Sequence, residues 1–522
     1  MSVLLEVFLT AGFLSSIPIE HGNRFEEKDV PGRYGSIQEA IDASQPGDTI
    51  LLSPGRYQER IRLKPGIKIR SKGDDQIGER GLLRAEKTIL DGGGDNGKKP
   101  GVIMAEGCVL DGITVTKVGV YDDEVWRKHH ATQGEDLGDH EGAVQAEVTV
   151  AAIQIAGVNC TVKNSIVHHN GDVGIAVMGS KNKTVLAVVL GNTSYRNMGA
   201  GIGVADGSMA TIQKNICSEN LRAGIGCRDS NPMILDNHCF KNIRAGIGCR
   251  EKSGAVIRGN RCHENRRAGI GIRMPGTAPI VEQNHCYENS MAGIGSRDGS
   301  APIIRHNVCL KNQMAGIGSE GSRPILIENQ CRDNRMAGIG MKEGSTVLVV
   351  GNQCAGNRLV AIGVTGQSNA VLLRNKLSRV GGMPPLVAVK DGSAALIQDN
   401  FLNGGGVAAV LVQGKVIIRD NRFQGQSEKQ GNAVWVWKDS EVNVTQNEFS
   451  GYRAAVHATQ AKVVVRENLV EGYAKSAIVV MDGIAPSLVV GNTAISKEVK
   501  EDSFLITPKI DAARFNSVKT AK

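Results

Sequence analysis

Residues 322–344 read SRPILIENQCRDNRMAGIGMKEG, and the order of apolar and polar residues in this stretch decides the fold. Ile325 and Ile327 alternate with other residues in one short run, and Ala337 and Ile339 do so in a second. Strict alternation is typical of half-buried β-strands, and the Gly, Asn, Asp and Ser residues between the runs are typical of turns. The stretch therefore predicts two or three short strands.

The same pattern recurs along the chain with a period of 22 to 24 residues. An Ala-Gly-Ile-Gly sequence has its first glycine at Gly201, Gly224, Gly246, Gly269, Gly293, Gly316 and Gly338. In phase with it, a cysteine follows two residues after an asparagine, at Cys217, Cys239, Cys262, Cys286, Cys309, Cys331 and Cys354. Self-similarity at a fixed period of this length indicates a solenoid. Because the asparagine recurs from Asn164 to Asn492, we expect the solenoid to span most of the chain.

Two other solenoid types are excluded by the pattern inside each repeat. The repeats lack a leucine-rich consensus, and they lack the ten or so continuous residues of 3.6-residue periodicity that a helical repeat needs. A parallel β-helix remains. Its coils stack at strand spacing, about 4.8 Å, so roughly 15 coils make a rod of about 70 Å. We expect the recurrent asparagine at a sharp turn, in a conformation close to left-handed and hydrogen-bonded to its copies above and below.

Residues 34–73, YGSIQEAIDASQPGDTILLSPGRYQERIRLKPGIKIRSKG, resemble the first part of a right-handed parallel β-helix of the pectin-lyase-like superfamily. The repeats, P-I-x-x-x-N-x-C-x-x-N-x-x-A-G-I, resemble its carbohydrate-binding and sugar-hydrolase repeats, and the resemblance covers about residues 34–496. It implies that PILIEN belongs to the second sheet and MAGIG to the first. In family enzymes the outer face of the first sheet holds the substrate cleft. Members differ in chemistry, so the resemblance specifies the fold better than a reaction.

The glycine repeat predicts a flat surface on the first sheet. Alternate side chains of a strand point to opposite faces. If Ala223, Ile225 and Cys227 face the core, Gly224 and Gly226 face water, and seven successive coils present a floor of bare backbone.

Arginines border this floor. Between Arg222 and Arg273 the chain has 11 Lys and Arg against 4 Asp and Glu, which accounts for most of its formal net charge of +8. Arginines at coil spacing suit a repeating polyanion because their forked guanidinium groups bind acidic groups in pairs. We predict as substrate-binding residues Arg222, Arg228, Arg244, Arg250, Arg267, Arg273, Trp126 and Trp435. The alternative is that these arginines form solvated ion pairs with the acidic residues after them, such as Asp229 and Glu251.

One segment, residues 121–147, breaks the period. It is polar and holds three of the 11 histidines and one of the three tryptophans. Long insertions on rigid scaffolds often carry function. We predict as catalytic candidates, in a general acid–base role, His129, His130, His140 and Asp136. A metal site is the second interpretation, with Ca²⁺ or a transition metal as the ion, and a polar lid or end-cap is the third.

The rest of the chain divides around this insertion. We expect a signal peptide or N-terminal cap at 1–30, the first coils at 31–120, further repeats at 148–496 and a C-terminal cap at 497–522. After Val360 the outward glycine positions become Leu411, Trp435 and His457, which favours a sugar-stacking or partner-binding surface.

The cysteines and the N-terminus bear on location. Seven of the 11 cysteines share one repeat position and should stack as buried, unpaired thiols. Such thiols favour a reducing compartment, whereas residues 1–16 have the length of a signal peptide but contain Glu6. We expect a secreted or periplasmic protein. No apolar run has the roughly 18–20 residues that a membrane span needs.

Two functions from different classes are open. The first is a protein that binds or processes an acidic polysaccharide along the first sheet, with a polysaccharide lyase or glycoside hydrolase-like reaction left open. The motifs of polygalacturonases, pectin methylesterases and mannuronan epimerases are absent from the sequence. The second is a non-enzymatic scaffold for protein partners, with Met291, Met314 and Met336 as an adaptable apolar surface. Nucleic acid is not expected as a partner, because the basic strip lacks interleaved aromatic residues.

Overall fold

The computed structural model describes residues 26–94, 99–132, 150–426, 431–497, 502–507 and 515–521. Within them the chain forms three parallel sheets that wind into a β-solenoid of about 20 turns. This confirms the all-β, right-handed parallel β-helix predicted from the repeats. Each coil contributes one strand to each sheet, and each strand pairs in parallel with its equivalent in the next coil, as Ile225–Arg228 does with Ile247–Arg250.

We name the sheets by the repeat segments they contain. Sheet 1 holds the Ala-Gly-Ile-Gly segments, and its strands are Ile61–Arg62, Val102–Ile103, Ile153–Ala156, Ile175–Met178, Ile202–Ala205, Ile225–Arg228, Ile247–Arg250, Ile270–Arg273, Ile294–Arg297, Ile317–Glu320, Ala337–Lys342, Val360–Val364, Val387–Val389, Ala408–Val412, Asn432–Val436, Ala454–Thr459, Ile478–Met481 and Phe504–Ile506.

Sheet 2 holds the segments that precede the recurrent asparagine. Its strands are Glu27–Val30, Thr49–Leu52, Lys68–Ser71, Val109–Asp111, Thr161–Lys163, Val188–Leu190, Thr211–Gln213, Met233–Leu235, Val256–Arg258, Ile280–Glu282, Ile303–Arg305, Ile325–Ile327, Thr346–Val350, Asn369–Leu373, Ala394–Gln398, Lys415–Arg419, Glu441–Thr445, Lys462–Arg466 and Leu488–Val490.

Sheet 3 holds the segments that follow that asparagine, including the recurrent cysteine. Its strands are Gly55–Tyr57, Thr88–Gly94, Thr114–Val118, Ile166–His168, Thr193–Tyr195, Ile216–Ser218, His238–Phe240, Arg261–His263, His285–Tyr287, Val308–Leu310, Gln330–Arg332, Gln353–Ala355, Lys376–Arg379, Phe401–Gly404, Arg422–Gln424, Glu448–Ser450, Leu469–Glu471, Thr493–Ser496 and Ser517–Thr520. In the described residues, three helices accompany the sheets: α1 (Ile37–Asp42), α2 (Leu83–Lys87) and α3 (Asp123–Ala131).

Buried asparagines stack at the turn from sheet 2 to sheet 3. The Asn237 side chain donates from Nδ2 to Asn260 Oδ1 at 3.0 Å and to the Ile212 carbonyl at 2.8 Å, and the same contacts repeat from coil to coil. The asparagine itself is not left-handed, since the positive φ lies on the residue before it, as at Asp236 (φ 54°). Asn164 is such a preceding residue (φ 53°), and Ser165 occupies the ladder position in that coil.

A second ladder lies at the turn from sheet 3 to sheet 1. It consists of Asn170, Asn197, Asn220, Asn242, Asn265, Asn289, Asn312, Asn334 and Asn357, all buried. Asn242 donates from Nδ2 to Asn265 Oδ1 at 3.0 Å and to the Cys217 carbonyl at 3.0 Å. Because buried amides need partners for both their donors and their acceptor, each asparagine stabilises the turn only while its copies are present.

The cysteines lie inside the solenoid. All eleven are free and buried. The seven repeat cysteines line the inner face of sheet 3, one per coil: Cys217, Cys239, Cys262, Cys286, Cys309, Cys331 and Cys354. This confirms the stacked thiols expected from the sequence.

Strand pairing extends to both ends of the described residues. Glu27–Val30 already pairs with Thr49–Leu52 in sheet 2, and α1 buries Ile37, Ala40 and Ile41 against these first coils. At the other end Phe504–Ile506 extends sheet 1 and Ser517–Thr520 extends sheet 3. The described parts of 497–522 therefore continue the solenoid, because their backbones pair with the last strands. No helix in the described part of the chain is long and apolar enough to cross a membrane.

Candidate functional site

The outer face of sheet 1 is flat, but the residues that form it differ from the prediction. Ile225 and Cys227 are buried, whereas Gly226 and Arg228 face outward. Gly224 was expected on the outer face and is buried. Ala223 is half-buried, and its Cβ is 3.8 Å from the position that a Cβ on Gly248 would take. The floor is therefore made of alternating rows of alanine and glycine.

Gly224 faces inward because the chain turns from sheet 3 into sheet 1 just before Ile225. A Cβ added at Gly224 would lie 2.7 Å from the Gly246 carbonyl oxygen and 3.2 Å from Cys217 Cβ. Its equivalents in six other coils meet the same groups at similar distances. The inner glycine, the stacked cysteine and the second asparagine ladder thus share one crowded corner, which explains why they recur in phase.

One arginine row borders the floor at the end of each sheet 1 strand. Arg228, Arg250, Arg273 and Arg297 all face outward, with side chains 22–43% exposed. Three carboxylates lie within 4 Å of these guanidinium groups, from Asp206, Glu251 and Asp298.

The ion pairs of this row agree in part with the alternative interpretation. Arg250 lies 3.3 Å from Glu251, the residue after it, but Arg228 lies 3.8 Å from both Asp206 and Glu251, which belong to the neighbouring coils. Surface pairs of this kind contribute about 0–1 kcal/mol. A ligand anion would compete with three carboxylates for four guanidinium groups.

The second arginine row lies at the corner between sheets 3 and 1. Arg222 is exposed, and Arg244 and Arg267 are half-buried. Their backbones are linked from coil to coil, with Arg244 N donating to the Arg222 carbonyl at 3.2 Å. Of the other basic residues between 222 and 273, Arg258 lies on sheet 2 and Arg261 on sheet 3, so part of the positive charge lies away from the floor.

The insertion begins with helix α3, which lies along the same corner. Asp122 caps it by accepting from the backbone nitrogens of Glu124 and Val125. Trp126 is 5% exposed, packs with Leu221 and Ile243, and donates from Nε1 to the Glu219 carbonyl at 2.8 Å. Trp126 was predicted as a substrate contact, and the structure places its ring in a buried position under the helix that it anchors.

Charged side chains hold the start of this helix. The Arg196 guanidinium lies 4.6 Å over the Trp126 ring and 2.9 Å from Glu219. The Tyr121 hydroxyl donates to Asp123 at 3.0 Å, and burial together with this carboxylate raises the pKa of Tyr121 to about 12.

Two of the four catalytic candidates can be placed. His130 stacks on Trp126 at 5.0 Å, and its Nε2 is 3.5 Å from Arg266 Nη2. Burial lowers the pKa of His130, and the Arg266 cation lowers it further, so the ring is neutral at neutral pH. His129 is the preceding residue of the helix, and consecutive helical residues point in directions about 100° apart. His140 and Asp136 lie outside the described residues.

The histidines of sheet 3 were not singled out by sequence reasoning. The Phe240, His263 and Tyr287 rings stack on its outer face, and His168 stacks on Tyr195 in the same row. The residue after each repeat cysteine marks this row, so the pattern was present in the sequence. Among the described residues, no group of three or more His, Cys, Asp or Glu is arranged to hold a metal ion.

The far end of sheet 1 carries aromatic residues. Trp435 is half-buried and faces outward, and Trp437, just after the strand, is 38% exposed at a ring distance of 5.6 Å. His457 is half-buried in the next coil, and burial lowers its pKa. Leu411 was expected outside but is only 5% exposed. Trp435 lies six sheet 1 strands beyond the last arginine of the first row, so the structure does not bring the two together.

Comparison with known sequences identifies two families. The profile described as "Right handed beta helix region" matches residues 187–318 and 296–449, together about half of the chain. A second, described as "Protein of unknown function (DUF1565)", matches residues 27–236. No curated protein sequence matches the chain.

Solved structures with similar shape share little sequence. The periplasmic alginate epimerase AlgG is 13% identical with a TM-score of 0.38, over 70% of this chain and 81% of its own. PfbA, a surface adhesin of Streptococcus pneumoniae, is 14% identical with a TM-score of 0.34, over 87% and 92%. Pectate lyase Pel9A is 14% identical with a TM-score of 0.29, over 74% and 78%. At these values the likeness concerns the solenoid alone.

Proposed function

Because the chain belongs to the right-handed β-helix family, whose solenoid leaves one long sheet face open to ligands, we propose that it binds an acidic polysaccharide along the outer face of sheet 1. The observation that carries the proposal is the geometry of this face. A floor of alanine and glycine lies between two arginine rows, and one row presents Arg228, Arg250, Arg273 and Arg297 in successive coils.

The spacing of the arginines favours a polymer over a small anion. Successive coils lie about 4.8 Å apart, so the row offers guanidinium groups at regular intervals along the solenoid axis. A polymer with an acidic group on every unit can engage several of them at once, which raises its affinity without a deep pocket. The shallow floor lets the chain lie close to the backbone.

Processing of the bound chain is a further step that the insertion would supply. Helix α3 runs beside the second arginine row, because Trp126 packs on Leu221 and Ile243, the residues before Arg222 and Arg244. Lyase or hydrolase-like chemistry would use the acid–base groups predicted here, His129, His130, His140 and Asp136. The secreted or periplasmic location belongs to the same proposal.

The test is retention on a panel of acidic and neutral polysaccharides. The triple variant Arg228→Gln, Arg250→Gln and Arg273→Gln should lose retention on acidic members, and added salt should produce the same loss in the parent protein. Thermal unfolding should change little, since these pairs are exposed. The control is Arg374→Gln, Arg422→Gln and Arg466→Gln, which removes equal charge from exposed positions on other faces.

Three outcomes matter. Retention lost only in the first variant supports the proposal, whereas equal retention in both variants contradicts it. New unsaturated or reducing ends in the same panel would show processing.

A protein-binding scaffold is the second candidate, favoured by one observation. Met291, Met314, Met336 and Leu359 form a row at the corner of sheets 3 and 1, each 41–44% exposed. The row continues the second arginine row past Arg267. The triple variant Met291→Gln, Met314→Gln and Met336→Gln tests this function by capture of a purified partner protein. If the parent protein retains no polysaccharide and this variant loses the partner, the scaffold function replaces polysaccharide binding.

A further inference from the structure

Two histidines of neighbouring coils face each other on the outer face of sheet 3. His238 begins the strand His238–Phe240, and His263 ends the next strand, Arg261–His263. Their Nε2 atoms lie 2.7 Å apart. These histidines lie on a different sheet from the floor of sheet 1, and what we infer for them does not rest on the proposed polysaccharide function.

The His263 ring is fixed from three sides. It is nearly parallel to Phe240 on one face, at 5.2 Å and 3°, and to Tyr287 on the other, at 4.6 Å and 9°. Its Nδ1 lies 2.8 Å from Glu264 Oε1. Nε2 is the remaining nitrogen of the ring, and it points at His238 Nε2. Any rotation of the His263 ring would break a stacking contact or the contact of Nδ1 with Glu264. The direction of Nε2 is therefore fixed before a ligand binds.

The Glu264 carboxylate also determines which nitrogen carries the proton. An ionised carboxylate only accepts hydrogen bonds, so Nδ1 of His263 is the donor and Nε2 of the neutral ring has a free lone pair. A carboxylate behind a histidine in this way orients the ring and makes it a more basic ligand in metal sites. In the metal-free protein His238 Nε2 then donates to His263 Nε2.

We propose that His238 and His263 form a two-histidine site for a divalent transition-metal ion, with Glu264 as the carboxylate behind the ligand. Imidazole nitrogens suit Cu²⁺, Ni²⁺ and Zn²⁺, and Cu²⁺ binds tightest in this series. Metal–nitrogen distances near 2.0–2.1 Å in tetrahedral geometry place the two nitrogens about 3.3 Å apart. A small rotation of the half-buried His238 ring brings the two Nε2 atoms to this distance. The proton of His238 moves to Nδ1, so that its Nε2 can bind the metal.

Water completes the coordination, since the described residues offer no third ligand here. Nearby charges of both signs set the affinity. Arg261 lies on the same face, with Nη2 3.3 Å from the Tyr287 hydroxyl, and Lys241 Nζ is 3.6 Å from Glu264. The Glu264 carboxylate offsets the positive charges of Arg261 and Lys241. The net electrostatic effect on a bound cation is therefore modest, and the two imidazole nitrogens provide the binding.

The test is a Cu²⁺ titration of the full chain, followed by electron paramagnetic resonance, with Zn²⁺ binding measured by calorimetry. We expect one ion per chain with two nitrogen ligands. His238→Gln and His263→Gln should each weaken binding by about tenfold or more, and Glu264→Gln by about tenfold, the usual effect of removing a carboxylate behind a metal ligand. His238→Gln is decisive if His263→Gln fails to fold, because His238 is the less buried.

Two control variants separate this site from other histidines. His285→Gln removes a histidine of the same sheet face. His168→Gln disrupts the second close pair, whose Nδ1 atoms are also 2.7 Å apart, from His168 and His169. Both controls should keep the affinity of the parent protein. Loss of binding in His168→Gln but not in His238→Gln, or binding unchanged in all variants, would overturn the proposal.

Discussion

At the scale of single residues, the two glycines of each Ala-Gly-Ile-Gly segment have opposite roles. Gly246 lies inside the corner between sheets 3 and 1, where a Cβ would meet the Gly269 carbonyl oxygen at 2.7 Å and Cys262 Cβ at 3.1 Å. Gly248 lies on the outer floor, where the nearest atom to a Cβ is Ala223 Cβ at 3.8 Å. The first position excludes any side chain, and the second accepts one.

Alanine substitutions should separate these roles. Gly246→Ala should lower the free energy of unfolding by about 1–3 kcal/mol, because backbone and packed Cβ atoms must move. Gly248→Ala should change it by less than about 0.5 kcal/mol. Urea unfolding of the two variants measures the difference. Equal losses would contradict the inward and outward positions described here.

His168 is a residue whose surroundings oppose its protonated form. It stacks on Tyr195 at 4.9 Å, and its Nδ1 is 2.7 Å from that of His169. Burial, together with the neighbouring His169, Arg56 and Arg80, lowers its pKa to about 4.

This pKa predicts a loss of stability in acid. An unfolded histidine titrates near 6.5, so between pH 6.5 and about 4 the unfolded chain binds a proton that folded His168 does not. The free energy of unfolding should therefore fall as the pH is lowered through this window. His168→Gln should reduce that dependence. A pH profile of His168→Gln identical to that of the parent protein would refute the interpretation.

At the scale of elements, helix α3 depends on contacts with the solenoid. It has 9 residues, and isolated helices of this length are marginal in water. Trp126 supplies the docking contact, buried against Leu221 and Ile243. We therefore expect helix α3 to detach before the stacked coils beneath it unfold.

Limited trypsin digestion tests this independence. Trp126→Ala should expose Arg127 and Lys128 to rapid cleavage, because the anchor of the helix is lost, while the thermal midpoint of the solenoid stays close to that of the parent. Val125→Ala, at a 37% exposed position of the same helix, is the control and should be cleaved slowly. Unfolding of the whole chain in Trp126→Ala would show that the helix is part of the core.

At the scale of the whole molecule, the strands of each coil in the described residues pair with those of the neighbouring coils. Strand pairs join equivalent positions of adjacent coils in all three sheets, and both asparagine ladders do the same. Stability is then close to a sum of coil and interface terms, as in other repeat proteins. The number of coils can change without changing the fold.

Deletion of one coil tests this additivity. Removing residues 237–259 joins Asp236 to Asn260, which occupy successive positions of the repeat, so the shortened chain should fold with the same β-sheet spectrum. Removing residues 237–247, half a coil, should prevent folding of the following coils because each strand would meet the wrong sheet. Circular dichroism and thermal unfolding compare the two. Equal folding of both would show that coil register is not specified by the repeat.

The sequence by itself determined the solenoid, its parallel sheets and its buried thiols. These follow from local features that repeat: alternation selects strands, and a fixed period stacks identical residues above one another. The two arginine rows were found in the same way, because residues at one repeat position stack above one another in successive coils.

Only the tertiary structure decided which glycine faces inward, since the bend from sheet 3 into sheet 1 breaks the alternation that the prediction used. It also buried Trp126 and brought His238 to His263, residues 25 positions apart that meet because the coils stack. Contacts of this kind depend on the direction in which side chains point from neighbouring coils. A repeat period predicts which coil a residue belongs to, but it does not predict where its side chain points. The sequence therefore defined the surface available to a ligand, and the fold determined which side chains meet on it.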